Sequence, residues 1–189
     1  NPFPASTNKF LKKVILMMLN KDPDRRPSAR KVLSLLENEF DDPNTNVKWT
    51  LERGCLKLYG PCAMRDYTGG GVIPWIEESE SIRSIVIQKG VTSIGDFAFF
   101  NLGHVTSVSI PKTVRTIGKH AFSGCLALAS ILIPKNVESI NEGAFNNCPK
   151  LESIEIRSNI NSIGAFSFAN TLLKRVTVPS SINKIQGYT

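Results

Sequence analysis

The sequence predicts an α+β chain: a β-rich solenoid with parallel ladders and an N-terminal β cap, preceded by a two-helix segment. Three observations predict it, namely a motif that returns every 23 residues after residue 82, alternating apolar residues before it, and helical spacing in residues 1–40. Of the 189 residues 41% are hydrophobic, enough to bury a core, which excludes a mostly disordered chain. We divide the chain into helices 1–40, linker 41–46, cap 47–81 and repeats 82–189.

The repeat is clearest in a strand-like tetrapeptide that starts at residues 84, 107, 130 and 153, and again at 175. Its side chains alternate between inward and outward positions, as in a half-buried strand. A coil of about 23 residues buries too little apolar surface to be stable alone, so neighbouring coils must stack. The sequence therefore predicts four full units and a truncated fifth in continuous ladders. Two inward columns are Phe99, Phe122, Phe145 and Phe168, and Ile94, Ile117, Ile140, Ile163 and Ile185.

A cap is predicted in front of the repeats. Trp49-Thr50-Leu51 and Leu56-Lys57-Leu58 alternate around Glu52-Arg53-Gly54, a pattern typical of a β-hairpin. Pro74-Trp75-Ile76 supplies a bulky lid for the open end of the stack. No equivalent pattern follows the fifth unit, so we expect a frayed last coil.

Two amphipathic helices are predicted in residues 1–40. Ser6 is the candidate N-cap of the first helix, which Asp22-Pro23 ends, and Ser28 is the candidate N-cap of the second. Because Arg25-Arg26 precedes Ser28, a basic phosphorylation motif is the alternative interpretation, and we favour the cap. The turn formers of 41–46 then predict a linker.

The repeat S-x-I-P-x-x-V-x-x-I-G-x-x-A-F-x-x-C-x-x-L, clearest at 107–128 and 130–151, resembles the BspA-like (Treponema pallidum type) leucine-rich repeat. The resemblance spans about 47–189 and includes the preceding segment 60–67. It implies a leucine-rich-repeat solenoid that binds proteins or cell surfaces. It implies no catalytic residues.

A second resemblance concerns M-L-N-K-D-P-D-R-R-P-S-A at 18–29, which is similar to the end of the eukaryotic serine/threonine protein kinase C-lobe. The matching motif residues are Asp22, Pro23, Arg26 and Pro27. In that family the arginine that matches Arg26 pairs with a glutamate near the end of the activation segment, which would lie upstream of Asn1. The resemblance thus implies a kinase domain of which only the tail is present.

Kinase chemistry itself has no match in this chain. Phosphoryl transfer needs a glycine-rich loop, a strand lysine and two aspartates in fixed motifs. Asp96-Phe97-Ala98 imitates a metal-binding triplet but falls within the repeat, and Gly69-Gly70-Gly71 is better interpreted as a flexible turn. We therefore expect no cofactor in this segment, and ATP with Mg²⁺ only if an upstream kinase region exists.

The four cysteines, at 55, 62, 125 and 148, form no C-x-x-C pair and no zinc-like spacing with His104 or His120. A metal site is therefore not expected. Cys125 and Cys148 are one repeat apart and should be neighbours. Buried free thiols are the favoured interpretation, and a disulfide is the alternative.

Two candidate surfaces emerge from the repeat. Lys89, Lys112 and Lys135 share one position after the strand, with Arg157 one place earlier in the next coil, and residues 82–189 carry 11 basic and 5 acidic side chains. This basic column either meets an acidic partner surface or is a solvated edge that blocks sheet pairing. The second surface consists of the outward strand positions Val86, Ser109, Leu132 and Glu155.

The surfaces favour a non-catalytic protein-interaction module, and the second resemblance implies that it is attached to a protein kinase. No nucleic acid partner is expected because the basic column has no interleaved aromatic residues, and no apolar run approaches the roughly 20 residues of a membrane span. Two alternatives stay open: an active serine/threonine kinase of which this is the C-terminal part, and a cell-surface adhesin. A kinase link would imply the cytoplasm, and an upstream secretion signal the cell surface; the partner's identity and the oligomeric state are not predicted.

Overall fold

The computed structural model describes residues 18–19, 21–23, 26, 47–68, 73–157, 160–177, 180, 182 and 184–187. The chain separates into two compact units, 1–42 and 43–189. In the first unit the backbone N–H of Arg26 donates to the carbonyl oxygen of Pro23 at 3.1 Å, which closes a turn at the predicted kinase-like motif. The two predicted helices of residues 1–40 otherwise lie almost entirely outside the described residues.

The second unit begins with the predicted hairpin. Strands β1 (Lys48–Glu52) and β2 (Cys55–Tyr59) pair antiparallel around Arg53 and Gly54. Both turn residues have positive φ, 50° and 77°, as the tight two-residue turn of a hairpin requires. Strand β2 then pairs in parallel with the first repeat strand, so the predicted hairpin is confirmed and lies next to the first repeat.

The repeats supply two sets of parallel strands. The first set contains β3 (Ser84–Ile87), β5 (Ser107–Ser109), β7 (Ser130–Ile133) and β9 (Ser153–Ile156). The second contains β4 (Ser93–Ile94), β6 (Thr116–Ile117), β8 (Ser139–Ile140), β10 (Ser162–Ile163) and β11 (Lys184–Ile185). The second ladder is continuous from β4 to β11 and brings the predicted isoleucine column into register. A short 3-10 helix, Ile76–Glu78, precedes β3.

Two predictions about the first ladder are wrong. It is not continuous, since β3 pairs with β5 and β7 with β9, but no ladder joins β5 to β7 within the described stretch 73–157. Strand β7, on the far side of this gap, is followed by Pro134, which has no N–H to donate back to the coil of β5. By contrast, the N–H groups of Gln88 and Arg157 make that bond after β3 and β9.

The predicted fifth strand is also wrong over its described residues, because 175–177 form no strand. The fifth unit also comes after 22 residues instead of 23, which shifts it against the coil below.

The core contains the predicted file of phenylalanines. Rings of Phe99, Phe122, Phe145 and Phe168 stack with centroids 5.1, 5.4 and 5.8 Å apart and interplanar angles of 22°, 2° and 11°. Trp75, 1% exposed, extends the file at the cap, 5.6 Å from Phe99. The translational regularity inferred from the sequence is confirmed.

Candidate functional site

The outward side of the first ladder presents two rows of mostly short side chains. In one row Lys57, Val86 and Ser109 lie opposite one another on adjacent strands, and in the other Cys55, Ser84 and Ser107 do so. The rows continue on the next sheet with Leu132 beside Glu155 and Ser130 beside Ser153. We call this surface the strand face, defined by Ser84, Val86, Ser107, Ser109, Ser130, Leu132, Ser153 and Glu155.

The four predicted strand-face residues differ in exposure. Ser109 and Glu155 are exposed, Val86 is half-buried, and Leu132 leaves 39% of its surface in solvent. An exposed leucine among serines is an apolar contact point on a smooth surface. Such a surface suits docking of a partner chain better than capture of a small molecule in a cavity.

Lys89, Lys112 and Lys135 lie exposed in the turns that follow β3, β5 and β7. We call these three residues the lysine ridge. Within the described part of the chain, none of them forms an ion pair. Their charges are therefore open to an anionic group from outside.

Polar groups beside the ridge hold its turns in register. The backbone N–H of Gly90 donates to Thr113 Oγ1 at 3.3 Å, and Asn136 Nδ2 donates to the carbonyl oxygen of Lys112 at 2.8 Å. The second bond crosses the gap between β5 and β7. The sequence analysis did not identify Thr113 and Asn136. Their position directly after a ridge lysine was the signal that could have revealed them.

Arg157 is placed differently from the three lysines. Its Nε donates to Glu155 Oε1 at 2.6 Å on the same strand end. This hydrogen bond and the nearby carboxylate raise the pKa of Arg157 above its usual value. Because Glu155 compensates its charge, Arg157 does not continue the uncompensated ridge.

Two cations elsewhere on the stack are paired with carboxylates of the next coil. Arg115 lies 2.8 Å from Glu138, and Lys119 lies 3.7 Å from Glu142. Exposed pairs of this kind contribute little to stability, but they neutralise the surface near the second ladder. The lysine ridge differs from these cations in lacking such an acidic neighbour.

The buried cysteines belong to the core. Cys125 and Cys148 are free thiols whose Sγ atoms donate to the carbonyl oxygens of Phe99 and Phe122 at 3.5 and 3.2 Å. Burial raises the pKa of Cys125 far above its usual value and that of Cys148 to about 11. Since the thiolate is the reactive form, this environment makes both groups inert.

Asp96-Phe97-Ala98, the triplet dismissed above, is part of the repeat. Asp96 Oδ1 accepts a hydrogen bond from the backbone N–H of Lys119 at 2.6 Å, and Phe97 stacks on His120 with centroids 5.1 Å apart. Over the residues with described structure, no three His, Cys, Asp or Glu side chains gather as metal ligands. The same residues contain no helix of the length and hydrophobicity that crossing a membrane takes.

Comparison with known families identifies the fold independently. A family model described as "BspA type Leucine rich repeat region (6 copies)" matches residues 77–189, which is more than half of the chain. The chain belongs to the BspA-type leucine-rich repeat family. The expectation from the repeat motif is thereby confirmed for this part, whereas the kinase resemblance of residues 1–40 has no support from these comparisons.

Two solved structures share this leucine-rich repeat fold. The T. pallidum leucine-rich repeat protein superposes with a TM-score of 0.51 at 20% identity, covering 67% of this chain and 66% of its own. A leucine-rich repeat protein from Eubacterium ventriosum gives 0.51 at 24% identity, covering 71% of this chain and 42% of its own. The BspA-type chain thus spans two-thirds or less of these proteins, and at such identities the likeness shows the fold alone. No curated protein matches it significantly.

Proposed function

We propose that this chain is a non-catalytic scaffold that binds a protein partner through the strand face and the lysine ridge. The observation that carries the proposal is the ridge itself: Lys89, Lys112 and Lys135 are exposed at one position of the repeat and form no ion pair with a described residue, while Arg115 and Lys119 on the same stack are paired. Uncompensated charge beside a smooth, partly apolar surface favours an acidic protein over a small ligand. Repeat solenoids commonly present ligands on such a face.

Site-specific photo-crosslinking tests the face. A crosslinking amino acid at Ser109 should capture a protein partner from the native cell extract, and the same amino acid at the equally exposed Lys119, which follows β6 of the second ladder, should not. Both positions lie in the same coil, so they differ mainly in the side of the stack that they report. Equal capture from the two positions would reject the strand face as the docking surface.

The ridge is tested by replacing Lys89, Lys112 and Lys135 together with serine. The three side chains are exposed, so the variant should fold normally and bind the captured partner more weakly at low salt, with the difference shrinking as salt screens the charges. Binding that stays unchanged across the salt series would leave the ridge as a solvated edge.

We further propose that the scaffold is joined to a serine/threonine protein kinase, which would place it in the cytoplasm and let the repeats position a partner for phosphorylation. Support comes from the motif Asp22, Pro23, Arg26 and Pro27 and from the turn that the Arg26 N–H closes on Pro23. The test is the coding sequence upstream of Asn1. A strand lysine and two motif aspartates there would support the kinase, and a secretion signal would support the cell-surface alternative.

A further inference from the structure

The spacing of charges along the lysine ridge limits what can lie against it. The ridge residues belong to three successive coils, and the stacked rings of those coils, Phe99, Phe122 and Phe145, have centroids 5.1 and 5.4 Å apart. Along an α-helix, a step of three or four residues advances about 4.5 or 6 Å. Along an extended strand, side chains of one face are about 6.7 Å apart. Over the two steps of the ridge the helix stays close to register, whereas the strand drifts by roughly 3 Å.

The apolar points of the strand face have the same spacing. Val86 and Leu132 occupy equivalent outward positions two coils apart, and the ring of Phe122 in the coil between them lies 5.1 Å from Phe99 and 5.4 Å from Phe145. The two apolar points are therefore roughly 10 Å apart. Seven residues of α-helix cover about 10.5 Å. One helix can therefore bring an apolar residue to each point while its acidic residues face the ridge.

The surface between Val86 and Leu132 is lined by short side chains, so the backbone of a helix can approach it. Ser84, Ser107, Ser130 and Ser153 form a row beside Val86 and Leu132, and short hydroxyl side chains let another backbone approach closely. Glu155 lies at the end of this serine row, and its carboxylate accepts a hydrogen bond from Arg157. The described surface thus offers an apolar track and a basic edge, both parallel to the stack.

We propose that the strand face binds an amphipathic helix whose acidic residues recur at every third or fourth position along one edge. The helix lies parallel to the stack, its apolar stripe contacts Val86 and Leu132, and its acidic edge pairs with Lys89, Lys112 and Lys135. This inference rests on the proposed function, because it specifies what part of the protein partner docks. It uses the helix-in-groove mode of recognition on a sheet surface.

Two labelled peptides of identical composition test the proposal against the full chain. One carries its Glu and Leu residues at helical spacing, and the other carries the same residues alternating with period two. The helical peptide should bind at least about tenfold more tightly, since three charge pairs and two apolar contacts align with it alone. Its circular dichroism should also show helix gained on binding. Equal affinities, or no binding of either peptide, would overturn the inference.

Matched variants separate this docking from general attraction between charges. The change K89S/K112S/K135S should weaken the helical peptide about tenfold, and K119S/K150S/K174S, with the same loss of charge, should leave it bound. Equal weakening of peptide binding by the two triple variants would overturn the inference. The inference would also fall if the ridge bound vesicles of phosphatidylserine and phosphatidylcholine as tightly as it binds the peptide. If crosslinking at Ser109 captures a partner while both peptides fail, the helix inference falls and the proposed function stands.

Discussion

The indole Nε1 of Trp75 donates a hydrogen bond to the backbone oxygen of Ala98 at 2.9 Å. This bond fixes the ring in the plane from which it stacks on Phe99, with an interplanar angle of 26°. The cap is therefore joined to the repeats by a side chain as well as by strand pairing. Trp75 is thus the first ring of the aromatic stack, and its hydrogen bond fixes its position.

Trp75 should be a large single contributor to the stability of the cap. Trp75→Ala removes a fully buried ring and should lower the free energy of unfolding by about 3–5 kcal/mol. Trp75→Phe keeps an aromatic ring but loses the bond to Ala98, and the lost bond alone should cost about 1 kcal/mol. Urea unfolding measures both. The exposed Leu126 supplies the control, and equal effects of L126A and W75A would contradict this role.

Gly143 should resist substitution because of its neighbour. Its φ is +61°, and an added Cβ would collide with the imidazole ring of His120. Gly143→Ala should therefore destabilise the protein by about 1–2 kcal/mol from backbone strain, with a further loss from the collision.

A cycle of variants separates these two causes in thermal unfolding. Adding His120→Ala to Gly143→Ala should recover the part due to the collision and leave the strain. Gly103→Ala is the matched control, since its Cβ would meet Leu126 at an ordinary 3.6 Å and should change stability by less than about 1 kcal/mol. Simple additivity of the His120 and Gly143 changes would contradict the contact.

Stability should fall at alkaline pH. Burial raises the pKa of Cys148 from 9.0 to about 11 and that of Tyr67 from 10.0 to about 12, and it raises the pKa of Cys125 as well. In the unfolded chain these groups lose their protons first, so the stabilisation is complete below pH 9 and is lost as the pH rises through the folded values. Unfolding free energies measured between pH 8 and 12 give the slope of stability against pH. The variants C148A and Y67F should each flatten it, and an unchanged slope would contradict the assignment.

Asn136 should matter more than an exposed asparagine usually does. Its amide is bound to the carbonyl oxygen of Lys112 across the gap between β5 and β7. Asn136→Ala should cost about 1 kcal/mol and speed amide exchange in β7. The exposed Asn161 is the control and should stay within about 0.5 kcal/mol of the native protein. Equal exchange rates in the two variants would argue against a clamp at this gap.

The sequence was sufficient to predict the interior of the stack. Phe99, Phe122, Phe145 and Phe168 recur at one period, and identical positions of stacked coils must lie above one another, so the file followed directly. The hairpin followed from alternation around Arg53-Gly54, where the turn geometry matches the residues.

Contacts that break the repeat could not be predicted in this way. Aligning coils compares equivalent positions, so it did not reveal that Arg157 binds Glu155 two residues earlier in its own coil. Nor did it distinguish the gap after β5, because Pro111 and Pro134 occupy the same repeat position although β5 pairs with β3 and not with β7. Individual hydrogen bonds between coils decide these features.

The unequal ladders give the stack a preferred direction of bending. Strand pairing joins the described coils from β4 to β11, whereas in the first set of strands no ladder joins β5 to β7, which both lie in the described stretch 73–157. Force applied to the two ends would separate the coils there first, with β6 and β8 acting as the hinge. A bound molecule that contacts both β5 and β7 would then hold these two coils together.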